Sequence, residues 1–332
     1  MPQIVLKDMA MLLKLVAGVA GLAWAGAIAL ECARHLWSGE AFGWAILVTI
    51  PGNLISLLLL PIMAGVMLFD WWAQGPSRPS LLSSLPARRY DLFFVLAEAT
   101  GIISLLTLAF TFGLSAWAGS IIAGFPAWRA LGETPLWMQV PLAYLVASFG
   151  TYWAHRLMHT SLLWPLHAMH HATEDLTALS DCREHPLESF FKGTPVAVLF
   201  APLGFHPDAI LLLIVIGRSQ AALAHSSAPF PLWLERWVLM GPAMHRVHHA
   251  IAIEHRDRNF GILVIWDRLF GTFSLPANAR TLRTGVDDAR CYTGRPMHDV
   301  IAVIGLWLAT LRDALPARLP RVSLRSLSSA AN

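Results

Sequence analysis

The sequence predicts an all-α integral membrane protein, a helical bundle of about four to six spans with a histidine-rich helical cap on one side. Of its 332 residues, 56% are hydrophobic and 14% are charged, and the mean hydropathy is +0.55. Soluble globular proteins are usually about 25% charged. The second observation is that most of the histidines fall in short clusters beside apolar segments. This composition excludes an ordinary soluble domain.

The apolar segments follow one another along most of the chain. Residues 15–30, 42–69, 92–117 and 135–153 are each apolar enough for a helix that crosses about 30 Å of hydrocarbon. Pro51 and Pro61 predict a bend in the second of these spans. Residues 190–205 and 207–224 are either two short spans or a re-entrant hairpin. Residues 229–242 carry tryptophans typical of a segment at the membrane surface, and 300–311 form a last apolar helix.

Three regions follow from this order. Residues 1–90 are expected to hold N-terminal transmembrane helices and a polar linker at 71–89, residues 91–275 the catalytic region, and residues 276–332 a C-terminal helix and a disordered tail at 318–332. Basic residues in the loops set the orientation. Two of them, Arg34 and Arg129, lie on the side away from the histidines. Five lie on the histidine side, and these are Lys7, Lys14, Arg78, Arg88 and Arg89. The positive-inside rule therefore places the histidines on the cytoplasmic face.

The histidine clusters have helical spacing. His155 and His159 are four residues apart and share one face of a helix. Two trios repeat the pattern at spacings of three and four residues, and these are His167, His170 and His171, then His245, His248 and His249. Each of these three helical surfaces presents two or three imidazoles in one direction. Together they offer more ligands than one metal ion readily accepts, so the sequence predicts two metal ions.

A structural role for these histidines is the competing interpretation. A lone histidine on an apolar face is usually a hydrogen-bonded core residue, and we expect that of His35, His206 and His298. Eight clustered imidazoles without metal would leave several ring nitrogens unpaired, at a cost of about 1–3 kcal/mol for each buried one. Metal binding therefore explains the clusters better.

The ligand type narrows the chemistry. Imidazole suits iron, zinc, copper and nickel, and no CxxC pair offers a thiolate site. Hydrolytic two-metal sites usually need carboxylates, whereas Thr160 and Ala172 follow the first two clusters. A redox metal pair beside apolar helices suits oxidation of a lipid C–H bond. The net charge of +3 gives no nucleic-acid surface.

The motifs resemble those of a known superfamily. They occur in the order HRLMH, HAMHH, REHPLE, a lone histidine before SS, HRVHH, DRNFG and IWDRLFGTF, across about residues 144–273. This combination is similar to the fatty acid hydroxylase and sterol desaturase superfamily of membrane di-iron oxygenases. The resemblance implies a helical membrane bundle whose cytoplasmic cap holds two iron ions and uses O2 as co-substrate.

The resemblance also implies an activity. Its members hydroxylate or desaturate lipids with external electrons, so we expect hydroxylation of a fatty acyl chain or of an aminolipid such as an ornithine lipid. A lipid or sterol desaturase of the same family is the alternative, and a membrane di-zinc hydrolase is a more remote one. No flavin, haem-attachment or ferredoxin motif is present, so electrons are expected from a reductase with a ferredoxin or a cytochrome b5-like carrier. The C-terminal residues SSAAN carry no retrieval signal, which favours a bacterial inner membrane.

Carried over by position, the resemblance implies nine metal ligands: His155, His159, His167, His170, His171, His225, His245, His248 and His249. No catalytic residue is expected beyond these ligands. His185, in the REHPLE motif, is either a further ligand or a donor behind the ligands. Metal-bound imidazoles usually donate their other N–H to a carboxylate or carbonyl. Glu188 and Asp267 are the acids we expect in that role because they fall in the shared motifs.

Overall fold

The computed structural model describes residues 51–73, 88–124, 126, 129–288 and 292–314. These residues form helices and loops with no β-strand among them, which confirms the all-α class. The predicted span 15–30, nearly all of the linker 71–89 and the tail 318–332 lie outside the described residues. So do most of the basic residues that set the orientation, and the cytoplasmic placement stays a prediction.

Thirteen α-helices are found in the described ranges. The first five are α1 (Pro51–Ala73), α2 (Arg89–Ala99), α3 (Ile102–Phe110), α4 (Leu114–Ala123) and the single turn α5 (Arg129–Gly132). The central four are α6 (Leu136–Met158), α7 (Trp164–His171), α8 (Pro186–Phe200) and α9 (Pro207–Ala224). The last four are α10 (Leu232–Trp237), α11 (Pro242–His248), α12 (Val264–Leu269) and α13 (Pro296–Ala314).

The predicted span over 92–117 does not form one continuous helix. The chain there forms α2, α3 and α4, with an 81° bend between α2 and α3. Gly101 and Gly113 stand at the two breaks with φ of 78° and 80°, a left-handed conformation that glycine adopts without steric cost. The apolar run alone gives no sign of these breaks because apolar residues continue on both sides of each glycine.

Helix α6 carries the first histidines, as predicted from the run 135–153 leading into His155. It is continuous over 23 residues despite Pro141, and it ends with His159 as its C-terminal cap. Its closest neighbour is α8. A Cβ atom at Gly150 would lie 3.0 Å from Leu199 and 3.2 Å from Val196, so this glycine allows the two helices to approach.

Four elements bring the histidines together. The end of α6, all of α7, the end of α9 and α11 meet on one side of the bundle, while α9 packs on both α1 and α6. Helix α13 lies outside the predicted catalytic region 91–275, yet it packs against α7. The C-terminal helix therefore supports the histidine-bearing part of the fold directly.

Length and composition single out few membrane-spanning candidates among the described helices. Helix α9 is long and apolar enough to cross a bilayer, and α2 with α3 would qualify together as a bent pair. Residues 59–73 of α1 are apolar but shorter. The predicted count of four to six spans therefore stays a prediction.

Candidate metal centre

The structure brings all nine predicted histidines together in two groups. The five-histidine group contains His155, His159, His167, His171 and His248. The four-histidine group contains His170, His225, His245 and His249. Within each group, one ring nitrogen from every member lies within 4.8 Å of the others. Seven of the nine are buried, and the remaining two, at the C-terminal end of α6, are half-buried.

The helical spacing explains how each trio is divided. Residues four apart in a helix lie one above the other, so His167 and His171 join the same group, as do His245 and His249. The histidine beside each of those pairs is rotated by about 100° around the helix. Accordingly, His170 joins the four-histidine group and His248 joins the five-histidine group. The two helices therefore each contribute to both groups.

Partners behind the rings fix their orientation. In five of the nine, Nδ1 lies within hydrogen-bond distance of an oxygen: His155 with Phe260 O (3.1 Å), His159 with Asp257 Oδ1 (3.3 Å), His167 with Glu188 Oε1 (2.7 Å), His225 with Ala221 O (2.8 Å) and His248 with Arg258 O (2.7 Å). A backbone carbonyl only accepts, so His155, His225 and His248 donate through Nδ1 and keep a lone pair on Nε2. This is the arrangement found behind metal-bound imidazoles.

The other nitrogens converge on the centres of the two groups. His155 Nε2 lies 3.0 Å from His167 Nε2, and His225 Nε2 lies 2.9 Å from His245 Nε2. Nε2 of His248 and both ring nitrogens of His249 are buried without any hydrogen-bond partner. Native proteins rarely leave such groups unpaired. A cation at each centre would accept these lone pairs, so the residues present fit a metal ion in each group.

Burial keeps the rings in the form that binds metal. Desolvation lowers the pKa of all nine histidines, and it lowers the pKa of His225 to about 4. Repulsion between neighbouring rings acts in the same direction for most of them, as at His155 beside His248. All nine are therefore neutral at pH 7, and a neutral imidazole is the ligand form.

The spacing of the closest nitrogens is that of ligands on one metal ion. At a metal–nitrogen distance of about 2.1 Å, two ligand nitrogens lie about 3.0 Å apart at a right angle and about 3.4 Å apart at the tetrahedral angle. The closest Nε2–Nε2 distances are 3.0 and 3.2 Å in the five-histidine group, and 2.9 and 3.2 Å in the four-histidine group. Distances of this size are those expected between ligands of one metal ion.

Glu188 lies behind the five-histidine group, where its role was predicted. Its Oε1 accepts from His167 Nδ1, and both side chains are completely buried. Burial raises the pKa of Glu188 to about 7, while the ammonium of Lys192, 3.3 Å away, lowers it. Lys192 also pairs with Glu184 at 2.6 Å. A bound cation would act in the same sense as Lys192 and keep Glu188 ionised.

Asp267 contacts the turn next to His155 and not a histidine ring. Its carboxylate accepts hydrogen bonds from the backbone N–H groups of Phe260 (2.8 Å) and Gly261 (2.9 Å) and from the hydroxyl of Thr272 (2.7 Å). It touches no histidine ring in the hydrogen bonds described. By fixing this turn, Asp267 places the carbonyl of Phe260 that accepts from His155.

His185 belongs to neither group. It caps the N-terminus of α8, where Nδ1 accepts from the N–H of Leu187 (3.1 Å), and Nε2 lies 3.0 Å from Val300 O. Both ring nitrogens thus have partners within the protein, and His185 lies outside the two groups. His185 instead ties α8 to α13.

Sequence reasoning missed one acid beside the histidines. Asp181 Oδ1 lies 3.5 Å from His225 Nδ1, and the side chain is buried. It sits in a 3-10 turn, Ala178–Cys182, between helices. No periodic pattern points to Asp181. The one signal in the sequence is that it stands two residues before the REHPLE motif.

A cavity of about 1810 Å³ opens beside both groups. His155 from the first group and His170, His225 and His245 from the second contribute to its wall. Most of the remaining wall is apolar and comes from α3, α4, α6, α8 and α9. The cavity is large enough to hold a molecule with a long apolar chain.

Comparison with known proteins agrees with the motifs. Residues 140–272 match the sequence model of the fatty acid hydroxylase family. An ornithine lipid hydroxylase of Rhizobium tropici is 32% identical over 160 residues, which are 46% of this chain and 47% of that protein. An alkylglycerol monooxygenase of Danio rerio is 35% identical over 138 residues, 40% of this chain and 30% of that protein.

A methylsterol monooxygenase of Arabidopsis thaliana is 26% identical over 179 residues, 50% of this chain and 67% of that protein. The chain thus spans less than half the length of the ornithine lipid and alkylglycerol enzymes it matches. No solved structure gives a significant match. All nine clustered histidines lie inside residues 140–272, the segment that is similar to the fatty acid hydroxylase family, and this similarity supports the superfamily that the motifs indicate.

Proposed function

We propose that this protein is a membrane di-iron oxygenase that uses O2 and external electrons to hydroxylate a C–H bond of a lipid. One observation carries the proposal. Two groups of neutral histidines, five and four in number, lie at the wall of a large and mostly apolar cavity. The relatives support the substrate class because they are named as hydroxylases or monooxygenases of lipids.

The two histidine groups would each hold one iron ion. Iron bound there supplies the activation of O2 that a C–H bond requires. In the balanced reaction, the lipid C–H becomes C–OH, the second oxygen atom leaves as water, and the donor supplies two electrons and two protons. The donor is a separate reductase acting through a ferredoxin or a cytochrome b5-like carrier.

The protein's own residues have three tasks in this reaction. The carbonyls and carboxylates behind the rings hold the imidazoles so that their free nitrogens converge. The apolar wall of the cavity binds the lipid and keeps bulk water away from the reacting carbon. The helices, rather than loops, carry most of the ligands, which keeps the site rigid.

Exposed apolar side chains support a place in the membrane. Trp72, Trp117 and Trp137 are 65%, 62% and 75% exposed on the outer helices, and Trp233 and Trp237 of α10 are 63% and 61% exposed. Tryptophan is enriched where a membrane protein meets the lipid surface. We propose an integral protein of the bacterial inner membrane with its histidine groups on the cytoplasmic face.

The substrate is proposed to be a fatty acyl chain or an aminolipid such as an ornithine lipid. The similarity to an ornithine lipid hydroxylase supports the aminolipid. Desaturation is the alternative reaction, because the same site could remove a second hydrogen from the lipid instead of adding oxygen. A membrane di-zinc hydrolase is the more remote alternative, because the relatives are named as hydroxylases or monooxygenases.

The test uses isotopic oxygen. Purified protein is supplied with iron, a reductase system, total membrane lipid and labelled O2, and the lipids are analysed by mass spectrometry. The proposal predicts a lipid that gains one labelled oxygen atom, a gain lost in His170→Ala and retained in His255→Ala, which changes a half-buried histidine outside both groups. Loss of two hydrogens would indicate desaturation. Lipid cleavage that persists without O2 would refute the oxygenase.

A further inference from the structure

The cavity beside the histidines has one polar end and one apolar end. At the polar end, Arg218 forms an ion pair with Glu98, and both line the cavity. Arg218 Nη1 also lies 3.6 Å from Asp181 Oδ2, and Asp181 in turn contacts His225. These contacts place the charged residues and the four-histidine group at the same end.

A second ion pair reaches the other group in the same way. Lys192 and Glu184 pair at 2.6 Å and line the cavity. Lys192 continues to Glu188, which holds His167 of the five-histidine group. Charged side chains in an apolar, membrane-embedded setting usually mark a binding site or pathway. Here they surround the point where both groups meet the cavity.

The opposite end carries apolar residues of α4, α8, α9 and the loop between α8 and α9. Its wall includes Ile122, Phe200, Phe205 and Ile210. Ile210 precedes His225 by 15 residues in α9, which corresponds to about 22 Å along the helix axis. Phe200 lies at the far end of α8 from Glu188. The cavity therefore extends along the helices, away from the histidines.

A lipid in this cavity has a preferred direction. Placing the apolar tail against the two ion pairs would remove water from charged groups without replacing its hydrogen bonds, which is unfavourable. Placing the polar head there replaces water with charged partners, while the tail covers the apolar end. The predicted membrane topology agrees, since the heads of a leaflet lie at the surface and the histidines follow the end of the predicted span 135–153.

We infer that the lipid lies with its polar head at the Arg218–Glu98 and Lys192–Glu184 pairs and its tail towards α4, so that the oxidised carbon belongs to the head or to the first carbons of the chain. Each pair offers one cation and one anion, which suits a zwitterionic head. This inference rests on the proposed function for its chemistry. The direction of binding can be tested without it.

The binding test uses two photoreactive phosphatidylethanolamines with the full-length protein in nanodiscs. The head probe carries a diazirine on the acyl carbon next to the ester, and the tail probe carries it at the chain end. We expect the head probe to label the peptide with Arg218 and His225, and the tail probe to label the peptide with Gly119 and Ile122. The reverse pattern, equal labelling, or no labelling of cavity residues would each overturn the inference.

Two glycines provide a matched pair of volume probes. Gly119 and Gly217 both line the cavity, and a Cβ atom at either would meet nothing within 4 Å. Leucine also favours a helix over glycine, so Gly119→Leu and Gly217→Leu should fold. We expect Gly119→Leu to reduce severalfold the labelling by a long-chain tail probe and to spare a short-chain lipid. Gly217→Leu should reduce labelling by both. The opposite assignment would contradict the inferred direction.

The charge pair is tested as a unit. Arg218→Met with Glu98→Gln removes both charges together, so that neither is left unpaired. We expect head-probe binding about tenfold weaker, the loss of one charge-assisted hydrogen bond, with Arg218→Lys retaining much of it. Unchanged binding in the double variant would overturn the role of the pair.

The products distinguish this inference from the proposed function. Fragmentation of the oxygenated lipid should place the new oxygen in the head or near it. Oxygen at the far end of the tail would refute the direction of binding while leaving the oxygenase intact. A protein that oxygenates no lipid but labels as expected would refute the oxygenase and leave the direction of binding standing.

Discussion

Removing the charge of Glu188 should weaken metal binding in the five-histidine group. The carboxylate lies 2.7 Å from His167 Nδ1 with both side chains completely buried, so no water can replace it. Partners behind metal-bound histidines typically contribute 10- to 100-fold in metal affinity, or about 1.4–2.7 kcal/mol. Glu188→Gln keeps an acceptor oxygen at the same place and should fall at the lower end of this range. Glu188→Ala removes the acceptor and should fall at the upper end.

The neighbouring ion pair supplies a matched control. Glu184→Gln makes the same charge change next to the same lysine, since Glu184 pairs with Lys192 at 2.6 Å, but Glu184 has no hydrogen bond to a histidine among those described. Lys192 keeps one carboxylate partner in either variant. Iron affinity is measured anaerobically by competition with a chromogenic chelator, and folding is checked by thermal unfolding. Our reasoning would be refuted if Glu188→Gln bound iron as tightly as the unchanged protein while Glu184→Gln did not.

Three further predictions concern stability. His185→Asn should lower the free energy of unfolding by about 1–3 kcal/mol because Val300 O loses its buried partner. Elemental analysis should show an unchanged iron content, and a loss of iron would indicate that His185 is a metal ligand. Gly241→Ala should cost about 1–3 kcal/mol in thermal unfolding, since its Cβ would lie 2.6 Å from Phe230, whereas Gly305→Ala in open space should cost nothing; equal effects would contradict the packing. Between pH about 6.5 and 4, His225 binds a proton in the unfolded chain but stays neutral in the folded chain. The free energy of unfolding of the metal-free protein should therefore fall as the pH is lowered through this range, and His225 should contribute no change above pH 6.5. A free energy of unfolding that does not change with pH in this range would contradict the buried neutral ring.

Histidine spacing on a helix is a strong signal, and it predicted which residues would cluster. All nine histidines named from the motifs come together in the structure. The division of each trio between two groups needed the helices' relative placement, which no local pattern carries. Glu188 was named because it lies in a shared motif, and it contacts His167 as expected. Asp267 was named for the same reason but contacts the turn at Phe260 and Gly261 instead of a histidine ring, and Asp181, in an irregular turn, was missed.

The backbone partners could not have been predicted at all. The carbonyls of Phe260, Ala221 and Arg258 hold three of the rings, and a carbonyl is present at every residue.

The all-α class of the fold was predicted, but the breaks between helices were not. The apolar run 92–117 predicted one span, although Gly101 and Gly113 divide it into separate helices. Glycine in an apolar run marks such a break only when its conformation is known.

Counting metal ions tests the central claim most directly. Elemental analysis of the purified, iron-loaded protein should give two iron ions per chain. His171→Ala, in the five-histidine group, and His249→Ala, in the four-histidine group, should each lower that count towards one, because each variant damages a different group. One metal ion per chain, or a count unchanged by both variants, would contradict the account of two separate metal sites.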